Sequence, residues 1–180
     1  MALAAAGGGA HAQATKPGAT VVVRDARDPG TQGAPDITRA SLGRGPDGRL
    51  RAAVSLAGDL TPPDLRSDEG PPGSVCLRLW TLSSPPNMPA DYLVCVTAKD
   101  DRALRGTVLR EDIDGQPDRV ADATVRRRGD RVLIVTFSQT AVGRPTRLRF
   151  AVEATKAGCP RQSCVDVAPS PPRTALLRLR

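Results

Sequence analysis

Residues 74–98, SVCLRLWTLSSPPNMPADYLVCVTA, decide the fold: two apolar runs flank a proline-rich turn, and each run carries one cysteine. If Cys76 faces Cys95 in an antiparallel pair, the register of the whole hairpin is fixed. Side chains alternate between the two faces of a strand, so one face is apolar and contains Val75, Leu77, Leu79, Tyr92, Val94 and Val96. The other face carries Cys76, Arg78 and Trp80. The sequence therefore predicts a β-hairpin held by its own disulfide.

Short strand-like segments separated by turn residues recur along the rest of the chain. The predicted strands outside the hairpin span 19–24, 37–42, 49–56, 104–110, 119–128, 131–138, 146–154 and 174–180. Residues 57–73 contain four prolines and few apolar residues, which predicts a long surface loop. About nine strands of this kind are typical of an all-β, two-sheet antiparallel β-sandwich of jelly-roll or Ig-like layout, with a barrel as the alternative.

The N-terminal segment is predicted to lie outside this domain. Residues 1–14 are small and mostly apolar and include Ala-His-Ala at 10–12, which is typical of the end of a secretory signal peptide; a disordered tail is the alternative. Residues 15–18 are a polar linker, and residues 19–180 form a single domain. The even number of cysteines, four, agrees with an oxidising compartment, so we expect a secreted protein, extracellular or in the cell wall. No apolar run is long enough to predict a transmembrane segment.

The four cysteines allow three disulfide connectivities. We expect Cys76–Cys95 and Cys159–Cys164, because each pair is local and each closes a turn. A zinc site formed by all four is the alternative, but no two cysteines are separated by only two residues, as zinc-binding pairs often are.

The residues available for catalysis are few. The only histidine, His11, lies in the predicted signal peptide, so the mature chain has no imidazole for a Ser-His or Cys-His dyad. The chain has only three glutamates, Glu69, Glu111 and Glu153, so few residues could serve as the catalytic acid and base of a glycosidase. We therefore expect a protein that is not an enzyme.

The net charge of +7 arises from 26 basic residues, of which only three are lysines. A polyanion such as nucleic acid, teichoic acid or an acidic glycan is one interpretation. A high-GC bacterial coding bias is the other, because the arginines are scattered and their only tight cluster, Arg126–Arg128, lies beside a turn. Since neither interleaved aromatic residues nor a recognisable motif is present, we expect no specific nucleic-acid partner.

An acidic loop follows the first strand. It contains Asp25, Asp28 and Asp36, and Gly30 and Gly33 allow it to fold back. Three carboxylates converging in such a loop can supply oxygen ligands for calcium, although the spacing is not that of an EF-hand. In the alternative interpretation these aspartates are ordinary turn residues.

The same region resembles a known class of secreted domains. DARDPGTQGAPDITRASL at 25–42, followed by DGRLRAAVSLAG at 47–58, is similar to the opening of family 9 carbohydrate-binding modules and DOMON-like domains. The resemblance covers about residues 20–58. It implies a jelly-roll-like sandwich, a structural calcium near Asp25, Asp28 and Asp36, and in some members sugar or haem binding. The chain departs from the sugar binders, which clamp a glycan between two tryptophans, and from the haem binders, because it offers only Trp80 and an isolated Met88.

These observations predict a non-catalytic domain that binds carbohydrate or a cell-wall polymer. The predicted ligand-binding residues are Trp80, on which a sugar ring could stack, and Arg78 beside it. Alternatively, the second sheet or residues 81–90 cover Trp80. The rival hypothesis is a structural or protein-interaction domain with no small-molecule ligand.

Overall fold

The computed structural model describes residues 20–26, 33–45, 47–81, 88–111, 117–159 and 164–179. The predicted signal peptide and linker, residues 1–18, lie outside these ranges. The strands in the described ranges are β1 (Val21–Arg24), β2 (Ile37–Arg44), β3 (Leu50–Leu56), β4 (Ser74–Trp80), β5 (Tyr92–Ala98), β6 (Leu104–Arg110), β7 (Asp118–Arg127), β8 (Val132–Phe137), β9 (Arg147–Thr155), β10 (Val165–Ala168) and β11 (Ala175–Arg178). Two 3₁₀ turns, Pro62–Leu65 and Gln139–Val142, complete the regular structure, and none of the described residues belongs to a helix long and apolar enough to cross a membrane.

The strands form one continuous antiparallel sheet in the order β1-β2-β3-β8-β7-β6-β5-β4-β9-β10, and β11 also pairs with β9. The all-β, antiparallel prediction is confirmed. The strand count is eleven in the described chain rather than about nine, and a layout of two separate sheets is not confirmed. The reason is β7: its first half pairs with β6 and its second half with β8, so one long strand connects what would otherwise be two sheets. At the far ends, β1 and β2 lie against β11 and β10, which nearly closes the sheet into a barrel.

The hairpin has the register predicted from its cysteines. Cys76 is paired with Cys95, Val75 with Val96, Leu77 with Val94 and Leu79 with Tyr92. The Cα atoms of Cys76 and Cys95 are 4.0 Å apart, close to the spacing of the narrower, non-hydrogen-bonded type of antiparallel pair. The second predicted disulfide, Cys159–Cys164, is also present.

The core lies inside the nearly closed sheet and is built mainly from aliphatic residues, with Phe137 and Phe150 as its only fully buried aromatic side chains in the described chain. Residues 57–73 contribute to it, contrary to the prediction of a surface loop. Leu60 and Leu65 are buried, Leu65 as the last residue of the 3₁₀ turn Pro62–Leu65. A loop with few apolar residues can still bury all of its leucines.

The sequence did not predict β10. It has only four residues and follows the Cys159–Cys164 loop. β10 and β11 share one edge of β9: β10 pairs with residues 152–155 of β9 and β11 with residues 147–150. This arrangement gives the outer face of β4 and β9 an additional wall.

Candidate functional site

The candidate site lies on the outer face of β4, the face opposite the core. Val75, Leu77 and Leu79 point inward and are buried in the core. Arg78 and Trp80 therefore point outward, as strand alternation requires. The residues that Arg78 faces on the neighbouring strands are Leu93 of β5 and Ala151 of β9.

A second, smaller apolar cluster covers part of this outer face. Its buried members are Cys76, Trp80, Ala90, Leu93, Cys95 and Ala151. The Cys76–Cys95 disulfide thus packs in a cluster of its own rather than in the main core. This cluster gives the site a rigid apolar floor.

Trp80 belongs to that floor and is not an open platform. Only 4% of its surface is exposed, and its indole N–H donates a hydrogen bond of 2.9 Å to the carbonyl of Met88. The structure therefore favours the alternative in which residues of the 81–90 segment cover the ring. The stacking role predicted for Trp80 needs an exposed ring face, and this ring does not offer one.

Arg78 lies between Trp80 and a buried carboxylate. Its guanidinium carbon is 5.3 Å from the centroid of the Trp80 ring, within cation–π range. Its Nη1 is 3.3 Å from Oε2 of Glu153, whose side chain is only 7% exposed against 27% for that of Arg78. The Nε of Arg78 is buried and has no hydrogen-bond partner among the described residues. The guanidinium is thus held in place while one of its donors remains unused.

These residues line a groove of about 590 Å³, which we call the outer groove. Its walls come from β4, β9 and β10, from Met88 and Pro89, from Glu111 after β6, and from the segment 171–174. Its charged side chains are Arg78, Arg173, Glu111 and Glu153, two of each sign. The Oε2 atom of Glu111 is buried and lacks a hydrogen-bond partner in the described structure.

Two residues that line the outer groove therefore carry a buried, unused polar atom: the donor Nε of Arg78 and the acceptor Oε2 of Glu111. Buried polar atoms are nearly always hydrogen-bonded in folded proteins. A ligand rich in hydroxyl groups would suit both atoms, because a hydroxyl can accept from the first and donate to the second. The apolar floor would contact the carbon skeleton of such a ligand.

The predicted metal ligands lie elsewhere, at the end of the sheet path. Asp25 follows β1 and Asp36 precedes β2, whereas Asp28 lies outside the described residues. Both described aspartates are close to Asp166 of β10: burial is the main cause that raises the pKa of Asp166, and the charges of Asp25 and Asp36 raise it further. The Oδ1 atom of Asp36 is buried without a hydrogen-bond partner in the described part.

These observations leave the calcium prediction untested. A carboxylate oxygen without a hydrogen-bond partner is a suitable calcium ligand. Within the described ranges, however, no group of three or more His, Cys, Asp or Glu residues is arranged to hold a metal ion. The predicted site therefore depends on Asp28.

Sequence reasoning did not identify Glu111, Glu153 or Asp166 as site residues. The sequence could have indicated Glu153 as a site residue, because it is a charged residue within the otherwise apolar run FAVEA of β9. The indication for Asp166 was weaker, because it is a single acidic residue in the short run VDVA. Nothing in the sequence indicated that Glu111 would line the same groove as Trp80.

No family model, no curated protein and no solved structure matches this chain. The resemblance to family 9 carbohydrate-binding modules and DOMON-like domains therefore stays a prediction. Function has to be argued from the site itself.

Proposed function

We propose that this protein is a non-catalytic, secreted or cell-surface domain that binds carbohydrate or a cell-wall polymer in the outer groove. The observation that carries the proposal is that two residues lining one groove, Arg78 and Glu111, each hold a buried, unused polar atom, Nε and Oε2. A sugar hydroxyl can accept from the first atom and donate to the second. The fixed position of Arg78, between Trp80 and Glu153, reduces the entropy that binding would cost.

The role of Trp80 in this proposal differs from stacking. The ring supports the Arg78 guanidinium from one side and forms part of the apolar floor. The sugar would contact polar edges above this floor rather than lie on the indole face. A single tryptophan is sufficient for such a site, whereas a clamp between two tryptophans is not possible here.

The compartment is part of the same proposal. Two disulfides in a chain of 180 residues suit an oxidising environment, where extracellular polymers are found. An extracellular ligand is therefore consistent with the chemistry of the chain.

A glycan array followed by titration tests the proposal. Trp80 is the only tryptophan and lines the groove, so its fluorescence reports binding directly. Arg78→Lys keeps a positive charge near Glu153 but removes the Nε donor, and Glu111→Gln keeps the shape but removes the charge. Each should weaken binding about tenfold, as expected when a hydrogen bond to a charged group is lost. Arg105→Lys and Glu69→Gln, at exposed positions outside the groove, are the matched controls.

The rival hypothesis is a structural or protein-interaction domain without a small ligand. A folded wild-type protein that binds nothing on the array would support it. Binding that neither Arg78→Lys nor Glu111→Gln weakens would also contradict the proposed site.

A further inference from the structure

The outer face of β1, β2, β3, β8 and β7 carries a concentration of positive charge. Five exposed arginines point outward from it, and we call this surface the arginine face: Arg24, Arg39, Arg51, Arg126 and Arg128. Their inward neighbours, such as Val23 and Ala52, are buried, which fixes the outward direction of the arginines. The surface is the continuous outer side of five adjacent strands.

Along β1, β2, β3, β8 and the second half of β7, the arginine face holds no acidic residue; Asp122, in the first half of β7, is also directed outward and is paired with Arg119. The other outward positions of the arginine face are apolar, hydroxyl-bearing or glycine: Val22, Ser41, Gly43, Ala53, Ser55, Thr124, Val132, Ile134 and Thr136. None of the ion pairs between described residues involves the five arginines. Other arginines do have acidic partners, for example Arg78 with Glu153 across β4 and β9 and Arg119 with Asp122 in the first half of β7. The five arginines thus concentrate positive charge on the part of the sheet that runs from β1 to the second half of β7.

The arginines also stand in an ordered arrangement. Arg24 is directly opposite Arg39 across β1 and β2. Like charges that face each other across two strands reduce stability, and a bound anion would relieve their repulsion. Arg24 and Arg39 begin a row of outward residues that crosses the sheet. Next in this row are Ser55 of β3 and Val132 of β8, and Arg128, just after β7, is its last member. Four strand spacings separate β1 from β7, so the row extends over about 19 Å.

We propose that the arginine face binds an acidic polysaccharide, a linear glycan bearing carboxylates. Arginine pairs with carboxylates in bidentate geometry, and arginines at both ends of the row suit a ligand with repeated charges. Between them, the hydroxyls of Ser41 and Ser55 offer hydrogen bonds to sugar hydroxyls. The half-buried Ala53 and Ile134 offer an apolar strip to the face of a sugar ring.

Other polyanions fit this surface less well. Single-stranded nucleic acid is held largely by bases stacked on aromatic residues, and the arginine face has none. Anionic membranes favour a surface with inserted apolar side chains, and Val22 is the only large apolar residue of this face that is as much as 42% exposed. The two disulfides also place the protein where glycans are more common than nucleic acids. The inference uses different residues from the outer groove and does not depend on it.

The test measures the affinity of the protein for polygalacturonate by calorimetry at two salt concentrations. Arg39→Gln/Arg126→Gln should weaken binding about tenfold and reduce its salt dependence, because two charge contacts are lost. Arg105→Gln/Arg147→Gln removes the same charge from exposed positions outside the face and should change affinity by less than about twofold. Arg39→Lys/Arg126→Lys should retain more affinity than the glutamine pair, and uncharged dextran should not compete with polygalacturonate. Glu69→Gln, at an exposed position outside both the arginine face and the outer groove, should leave polygalacturonate binding unchanged.

Three results would overturn the inference. The first is no binding of polygalacturonate by the folded wild-type protein. The second is an equal loss in the two glutamine pairs, which would mean that only net charge matters. The third is tighter binding of double-stranded DNA or of phosphatidylserine vesicles with the same dependence on Arg39 and Arg126, which would assign the face to a nucleic acid or a membrane.

Discussion

The carboxylate of Asp166 in β10 accepts a hydrogen bond of 2.5 Å from the backbone N–H of Ile37, the first residue of β2. β2 and β10 are not hydrogen-bonded to each other as strands, so this bond joins the two ends of the sheet. Asp166 is 6% exposed. Its pKa is raised, chiefly by burial and then by the charges of Asp25 and Asp36, although the Ile37 N–H acts in the opposite direction. The contact between the two ends of the sheet therefore contains a carboxylate that is costly to ionise.

The raised pKa of Asp166 predicts how stability changes with pH. Between the unfolded and folded pKa values, the folded protein holds a proton that the unfolded chain has released. The stabilising contribution of Asp166 is thus complete below the unfolded pKa and is lost as pH rises through the folded pKa. Asp166→Asn keeps an acceptor for Ile37 but removes the charge, so it should raise the melting temperature at pH 7 and remove this part of the pH dependence. Melting curves from pH 4 to 8 measure both effects, and a variant that melts below wild type at pH 7 would contradict the prediction.

Calcium is predicted to stabilise the same region. If Asp25, Asp28 and Asp36 bind it, calcium at 100 times its dissociation constant should add about 2.7 kcal/mol to the free energy of unfolding. Magnesium should add less, because it requires a tighter octahedral shell. Asp36→Asn should weaken the response, and Asp47→Asn, in an exposed turn, is the control. Identical melting curves in calcium and in chelator, for protein stripped of metal, would show that these aspartates are turn residues.

The hairpin was the most predictable part of the fold. Cysteine pairing and apolar alternation in β4 and β5 both require the same register, and a shift by one residue would expose the whole apolar set. The continuity of the sheet was not predictable in this way. It depends on β7, whose single run of residues pairs with β6 and then with β8. Local patterns show that a strand exists but not that it changes partner.

The candidate site was predictable only in part. Arg78 could be assigned to the outer face from alternation alone. Its contact with Glu153 requires β9 to lie beside β4, and these strands are separated by more than 60 residues of sequence. The burial of Trp80 depends on Met88, whose carbonyl accepts from the indole N–H, and on Ala90, which packs in the same cluster. Such long-range or loop-mediated contacts leave little trace in sequence periodicity.

The two disulfides should contribute unequally to stability. In the chain-entropy model the stabilisation grows with the length of the closed loop, and the cysteines are 19 positions apart in one pair and 5 in the other. Removing Cys76–Cys95 by a double alanine substitution should therefore cost about 3 kcal/mol, and removing Cys159–Cys164 about 2 kcal/mol. Urea unfolding of the two variants provides the measurement. Thiol labelling of the unreduced wild type should detect no free cysteine, and any labelling would contradict the pairing.

Gly106 of β6 is predicted to be essential where β6 meets β7. A Cβ atom at this position would lie 2.6 Å from the carbonyl oxygen of Ala123 and 2.7 Å from Cγ2 of Val125. Because Ala123 is paired with Gly106 in the sheet, its carbonyl cannot withdraw without breaking the ladder. Gly106→Ala should therefore destabilise the fold by about 1–3 kcal/mol, the usual cost of overpacking.

Gly58 is the matched control for this substitution. It is exposed, its backbone lies outside the left-handed region, and nothing lies within 4 Å of a Cβ placed there. Gly58→Ala should leave stability unchanged or raise it by up to about 1 kcal/mol, because alanine restricts the unfolded chain more than glycine does. The urea midpoints of the two variants make the comparison. Equal midpoints would mean that β7 can move away from β6, and that the close approach of these strands is not what requires glycine at position 106.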